Sequence, residues 1–138
     1  MAGILIVAHT PLATALLDFV EHVFGQVPED VFAIDVPPHE DAKNTFKRLN
    51  GLIEQMKSSH EILVLTDIMG ATPSNVASRL ANQPGNLSNI QIITGVNLPM
   101  LLRAVTHRHE PLKEIVEKSL QGGQQGVIRI RETGKVSL

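Results

Sequence analysis

Short apolar runs alternate with amphipathic helical patterns along almost the whole chain, and this alternation restricts the fold more than any other feature. Ile4 to Ala8 is an unbroken apolar run, as expected of a central parallel strand buried on both faces. Leu12, Leu16, Val20 and Phe24 then recur every fourth residue, with Phe19 and Val23 beside them, and Gly25 ends the helix. Val31 to Ile34 reads as a second strand that ends at Asp35, and Pro37-Pro38 breaks the chain. Ala42, Phe46, Leu49, Ile53 and Met56 form one helical stripe, with Glu40 and Asp41 at its start and Lys57 at its end, as the helix dipole favours.

Ile62 to Leu65 is the third strand. Thr72 can cap a following helix and Pro73 suits its first turn, with Val76, Ala77 and Leu80 turned inward and a stop near Pro84-Gly85. Ile90 to Ile93 is the fourth strand, and Asn97 caps a helix through Pro99, Leu101, Leu102 and Val105. Pro111 opens a last helix through Leu112, Ile115, Val116 and Leu120, which Gly122-Gly123 should stop. Val127 to Ile130 reads as a final strand, and the alternation with Arg129 and Arg131 fits an edge or half-exposed antiparallel strand. The order strand, helix, strand, helix predicts an α/β fold with a mainly parallel sheet, an additional C-terminal antiparallel or edge strand, and right-handed crossovers. At 138 residues it is expected to form one domain over 1–138.

Composition removes several functions. A formal charge of −2 gives no electrostatic case for nucleic acid, and with four Phe and no Trp or Tyr a base-stacking platform is not expected. The absence of Cys excludes disulfides and thiolate chemistry and suits a cytoplasmic protein. No apolar run approaches the roughly 20 residues that span a bilayer, so membrane insertion is not expected. The N-terminus lacks a basic region and a cleavage-like site, and reads as a strand rather than a signal peptide.

His9 and Asp67 carry the chemistry. Each follows a predicted strand, and in open α/β sheets ligands collect at the carboxyl ends of strands. A carboxylate that accepts one imidazole N–H holds the other ring nitrogen as an acceptor aimed outward. Such a ring can attack a phosphoryl group, while the carboxylate balances the charge that develops on it. The phosphoryl oxygens need donors. The turn Gly70-Ala71-Thr72-Pro73 opens one helix beside Asp67, and Thr10 and Leu12 lie at the start of another. Asp67 could equally cap the turn at Gly70, and Thr72 could serve as a helix cap alone.

The remaining histidines offer less. His107 and His109 lie near a helix end, where a cation suits the dipole, and Glu110 is the acidic residue close to them in sequence. His22, His39 and His60 read as surface positions. No metal and no cofactor are expected.

At these residues the chain resembles a known family. Ile4-Leu5-Ile6-Val7-Ala8-His9, the segment Leu65 to Asn75 (Leu-Thr-Asp-Ile-Met-Gly-Ala-Thr-Pro-Ser-Asn) and Gly95-Val96-Asn97-Leu98-Pro99-Met100-Leu101 are similar to the marker segments of the mannose-family enzyme IIA domain of the bacterial phosphoenolpyruvate-dependent sugar phosphotransferase system. The resemblance covers about the whole chain. It implies a doubly wound sheet and a phosphotransferase with a phosphohistidine intermediate. His9 would accept phosphate from the phosphocarrier HPr and pass it to an enzyme IIB-type partner, Asp67 would orient the ring, and Thr72 would contact phosphate. It also implies a homodimer in which the C-terminal strand, here Val127 to Arg131, is exchanged between subunits. Two positions depart from the pattern: Thr10 stands where the family often has Gly, and Ala71 where it often has a second Gly. Alanine resists a positive φ. The chain stops at Leu138 with no attached IIB domain, so a free-standing protein is expected.

Three rival readings share parts of this pattern. A receiver-like signalling domain would be phosphorylated on Asp67, but it needs an acidic pair where this chain has Ala8-His9, and a lysine after a fifth strand. A metal chelatase would use His9 as a ligand. A flavodoxin-like module would need a Ser/Thr-rich loop after the first strand, and more aromatic residues than this chain has.

Overall fold

The computed structural model describes residues 1–56, 60–69, 71–82 and 89–131. Among the described residues four strands, β1 (Gly3–His9), β2 (Val31–Val36), β3 (Glu61–Thr66) and β4 (Asn89–Thr94), form one sheet in the order β2-β1-β3-β4. All pairings are parallel, with Ile6 opposite Ala33 on one side and Leu65 on the other. Five helices among the described residues connect and cover them: α1 (Leu12–Phe24), α2 (Ala42–Gln55), α3 (Thr72–Ala81), α4 (Leu98–Thr106) and α5 (Leu112–Gln125).

The unbroken apolar run of β1 follows from this arrangement. Alternate residues enter two separate cores. Ile4, Ile6 and Ala8 pack with α1, α4 and α5 through Ala13, Val20, Leu101, Ala104 and Ile115. Leu5 and Val7 pack with α2 and α3 through Leu49, Ile53, Val76 and Leu80. A polar residue anywhere in Ile4–Ala8, all fully buried, would face one of these cores without water. The sheet is therefore doubly wound. The chain runs from β1 outward to β2, then crosses back to β3 on the other side of β1. The crevice between the tips of β1 and β3 is the topological switch point at which such sheets hold ligands.

Three expectations change. The buried face of α1 is Ala13 and Val20, with Leu16 and Leu17 half-buried, whereas Leu12 and Phe24 at the ends of the fourfold repeat are exposed. The helix does end at Gly25, in the left-handed region at φ 82°. Gly122 and Gly123 do not stop α5, which continues to Gln125. Both glycines are buried against α4, and a Cβ on Gly122 would lie 2.4 Å from the Arg103 Cγ. Close approach of the two helices offsets the poor helical propensity of glycine there. Finally, Val127 to Ile130 forms no strand in the single chain; its apolar side chains are exposed, Val127 by 78%. A strand needs a paired edge, and no described segment of the chain supplies one to these residues. Lys57, Gly70 and Pro84-Gly85 lie outside the described residues.

Candidate active site

His9 is the last residue of β1, and Asp67 follows the last residue of β3. The two strands are direct neighbours, so the tips stand side by side. The His9 backbone N–H donates to Asp67 Oδ2 at 3.0 Å, and the ring Nδ1 meets the same oxygen at 2.6 Å. Asp67 Oδ1 accepts the Ile68 N–H at 2.9 Å. Burial pushes the Asp67 carboxyl up, but the His9 N–H, the His9 ring and the Ile68 N–H outweigh it and hold the group below its usual range. An ionised carboxylate only accepts, so the ring proton belongs on Nδ1 and Nε2 keeps its lone pair. The imidazole is 43% exposed and the carboxylate 13%, which leaves the ring reachable and its orienter covered.

The start of α3 lies beyond Asp67. Ala71 occupies the N-cap position with φ −94° and ψ 168°, an extended conformation that alanine adopts freely. The substitution of Ala for a second glycine is thus accommodated. Thr72 is the first helical residue, and its side chain is not a helix cap, contrary to one sequence reading. Helix starts leave their first N–H groups without intrahelical partners, and Pro73 has none, so the Thr72 and Ser74 N–H groups remain for an acceptor outside the helix. The exposed Thr72 hydroxyl stands at the same end.

The start of α1 differs. The Thr10 N–H is already donated to the Val36 carbonyl at 3.2 Å, so Thr10 keeps only its hydroxyl for a ligand. Pro11 at the N-cap position has no capping side chain. The cap comes from another strand: Asp35 Oδ1 accepts the Thr14 N–H at 3.1 Å and Oδ2 accepts the Thr14 hydroxyl at 2.5 Å. Arg48 of α2 donates to the Asp35 carbonyl at 3.2 Å and to Glu40 at 2.7 Å, and that bond is the chief reason the Glu40 carboxyl is held low. Sequence reasoning missed Asp35 and Arg48. The available signal was an acidic residue at the tip of β2, next to a helix whose own N-cap position is proline.

These features meet at the switch point of a doubly wound sheet, and comparison with known proteins places the chain. The sequence model of a family described as the fructose IIA component of the PTS system, EIIA-man, matches residues 3–120. The chain belongs to this family. It is 30% identical over 127 residues to the mannose-specific EIIAB component of the PTS system of Escherichia coli K12, covering 91% of this chain and 38% of that protein. It thus spans well under half of that relative. It is 26% identical to the fructose-specific EIIA component of Bacillus subtilis, over 91% of this chain and 84% of that one. The crystal structure of the EIIA component of Streptococcus agalactiae superposes with a TM-score of 0.84 at 30% identity, covering 94% of this chain and 97% of the other.

In this EIIA-type domain His107 is engaged at the turn between α4 and α5. His107 Nδ1 lies 2.5 Å from Glu110 Oε2, and Lys118 bonds the other oxygen of Glu110, which ties the α4–α5 turn to α5. Among the described residues no group of three or more His, Asp or Glu side chains could hold a metal ion. No helix among them is long and apolar enough to cross a membrane.

Proposed function

We propose that this protein is a phosphoryl relay of the sugar phosphotransferase system, with His9 as the carrier. The observation that supports this best is the 2.6 Å contact of Nδ1 with Asp67, which leaves Nε2 as the free acceptor of a half-exposed ring. In the loading step the Nε2 lone pair attacks phosphorus on the phosphohistidine of HPr. The P–N bond of the donor breaks, its electron pair returns to the donor ring, and a new P–Nε2 bond forms. The imidazole of His9 becomes cationic and Asp67, already ionised, balances it. The second step reverses the roles: a histidine of an enzyme IIB-type partner attacks, and His9 leaves as the neutral ring. The product serves sugar uptake or signalling of phosphorylation state. Thr72 with the first N–H groups of α3 receives the phosphoryl oxygens, aided by the Thr10 hydroxyl, with Ala71 at the N-cap position.

The receiver-like alternative is weaker on one specific ground. Both Asp67 oxygens are engaged, Oδ2 by the His9 ring and backbone and Oδ1 by the Ile68 N–H. A homodimer belongs to the same reading: exposed Val127, Ile128 and Ile130, at 78, 64 and 74%, suit pairing with a second copy.

Incubation with labelled phosphoenolpyruvate, enzyme I and HPr should label the protein once. The label should be acid-labile and alkali-stable, as for phosphohistidine and unlike an acyl phosphate on Asp67. His9→Ala should abolish it; label retained by that variant overturns the proposal.

A further inference from the structure

The crevice carries two helix starts, and they are not equivalent. Asp35 is paired with Ala8 and Val36 with His9. With strands about 4.8 Å apart and a rise of about 3.3 Å per residue, the Cα atoms of Asp35 and His9 lie about 6 Å apart. Their side chains leave the sheet on opposite faces. Ala8, the partner of Asp35, packs with the α1 core, whereas Val7, two residues before His9, packs with the α2–α3 core. The Asp35 carboxylate therefore stands on the first turn of α1, where it accepts both the N–H and the hydroxyl of Thr14. Its backbone is fixed as well, since both terminal nitrogens of Arg48 donate to the Asp35 carbonyl at 3.2 Å. The start of α3, by contrast, has no capping side chain.

From this asymmetry, and resting on the relay function of His9 proposed above, we propose that Asp35 is a positioning residue of the relay: its carboxylate closes α1 to the phosphoryl group, directs it to α3, and keeps the loaded imidazole a ready donor. A phosphoryl group on Nε2 carries close to two negative charges. Turned toward α1 it meets a fixed carboxylate; turned toward α3 it meets unpaired N–H groups and a positive helix end. The same carboxylate raises the free energy of the phosphorylated state relative to the free one. A relay gains from this, because too stable a phosphohistidine would not discharge to the next carrier. A neutral cap could still hydrogen-bond Thr14 and would forgo only part of the stabilisation, so the charge has a consequence for the phosphoryl group beyond its part in capping α1.

The test is the equilibrium of phosphoryl exchange with HPr, measured for folded wild type, Asp35→Asn, Asp35→Ser and Asp35→Glu. Loss of one charge near the phosphoryl group should shift the equilibrium toward phosphoprotein by about three- to tenfold in the Asn and Ser variants at low salt, and less at high salt. The Glu variant should remain within about twofold of wild type, since it keeps the charge. A cap with a merely structural role would lower the unfolding temperature of the Asn and Ser variants without moving this equilibrium. Wild type labelled on His9, with the neutral variants unshifted or shifted the other way, overturns the role of Asp35 and leaves the relay standing. Wild type that takes no label on His9 overturns both. The serine variant carries the test should the asparagine variant not fold.

Discussion

Asp67 Oδ2 accepts two hydrogen bonds from one residue: the His9 backbone N–H at 3.0 Å and the His9 ring at 2.6 Å. The first fixes where the β1 tip stands, and the second fixes how the ring is turned. The oxygen thus couples the position of His9 to its tautomer. Replacing Asp67 with Ala removes both acceptors but leaves the buried strands β1 and β3 untouched. The labelling rate with phospho-HPr should fall by about 10- to 100-fold, the scale on which orienting partners of imidazoles act elsewhere. Circular dichroism should be unchanged. Quenched-flow labelling at wild-type speed would show that the carboxylate does not orient the ring.

The depressed carboxyl of Asp67 also predicts a pH dependence. Its folded-state value lies below that of the unfolded chain, so the unfolded state binds the proton first as pH falls. Stability from this group is present above the unfolded value, about 3.9, and is lost as pH drops through the lower folded value. Asp67→Asn cannot titrate. Urea unfolding of the two proteins should show a stability gap near neutral pH that narrows below about pH 4. A gap of constant size down to the acid limit would mean that these hydrogen bonds do not favour the charged form.

Substitutions of Thr72 test the phosphate contact proposed for it separately from the orientation of the ring. Its hydroxyl lies at the start of α3 and caps nothing in the helix. Thr72→Val should slow phosphoryl transfer, with a cost of about 1.5–3 kcal/mol for a lost hydrogen bond to a charged group. Thr72→Ser should stay near wild type. Because Thr72 is exposed, thermal unfolding should barely change in either variant. Equal transfer rates for Val and Ser would remove the hydroxyl from the site.

The sheet and the His9–Asp67 pair were legible because their signals are local. β1 had to be buried on both faces because nothing polar interrupts Ile4–Ala8, and both cores do use it. His9 and Asp67 each stood just past an apolar run, and adjacent parallel strands then placed them together. Ala71 stands where the family often has glycine, but its φ of −94° means that the position requires none. The Asp35–Thr14 cap was not legible, because it joins residues whose proximity depends on β2 lying beside β1. The C-terminal strand was read from alternation alone, and alternation says nothing about whether an edge is available to pair with it.

The misread glycines of α5 give the last prediction. Gly51 in α2 and Gly122 in α5 both sit inside helices, and sequence alone treats them as equally unfavourable there. Their surroundings differ. A Cβ at Gly51 meets nothing within 4 Å, whereas at Gly122 it would come 2.4 Å from the Arg103 Cγ and 3.2 Å from the Pro99 carbonyl oxygen. The Arg103 side chain can swing aside, but the Pro99 carbonyl belongs to the α4 backbone and cannot. Gly51→Ala should therefore stabilise the protein by about 0.5–1 kcal/mol, through helix propensity and a less flexible unfolded chain. Gly122→Val should destabilise it by about 1–3 kcal/mol through overpacking, and in a β-branched residue the propensity gain is too small to offset this. Chemical denaturation of the two variants decides it, and changes of the same sign would show that α4 and α5 do not depend on this close approach.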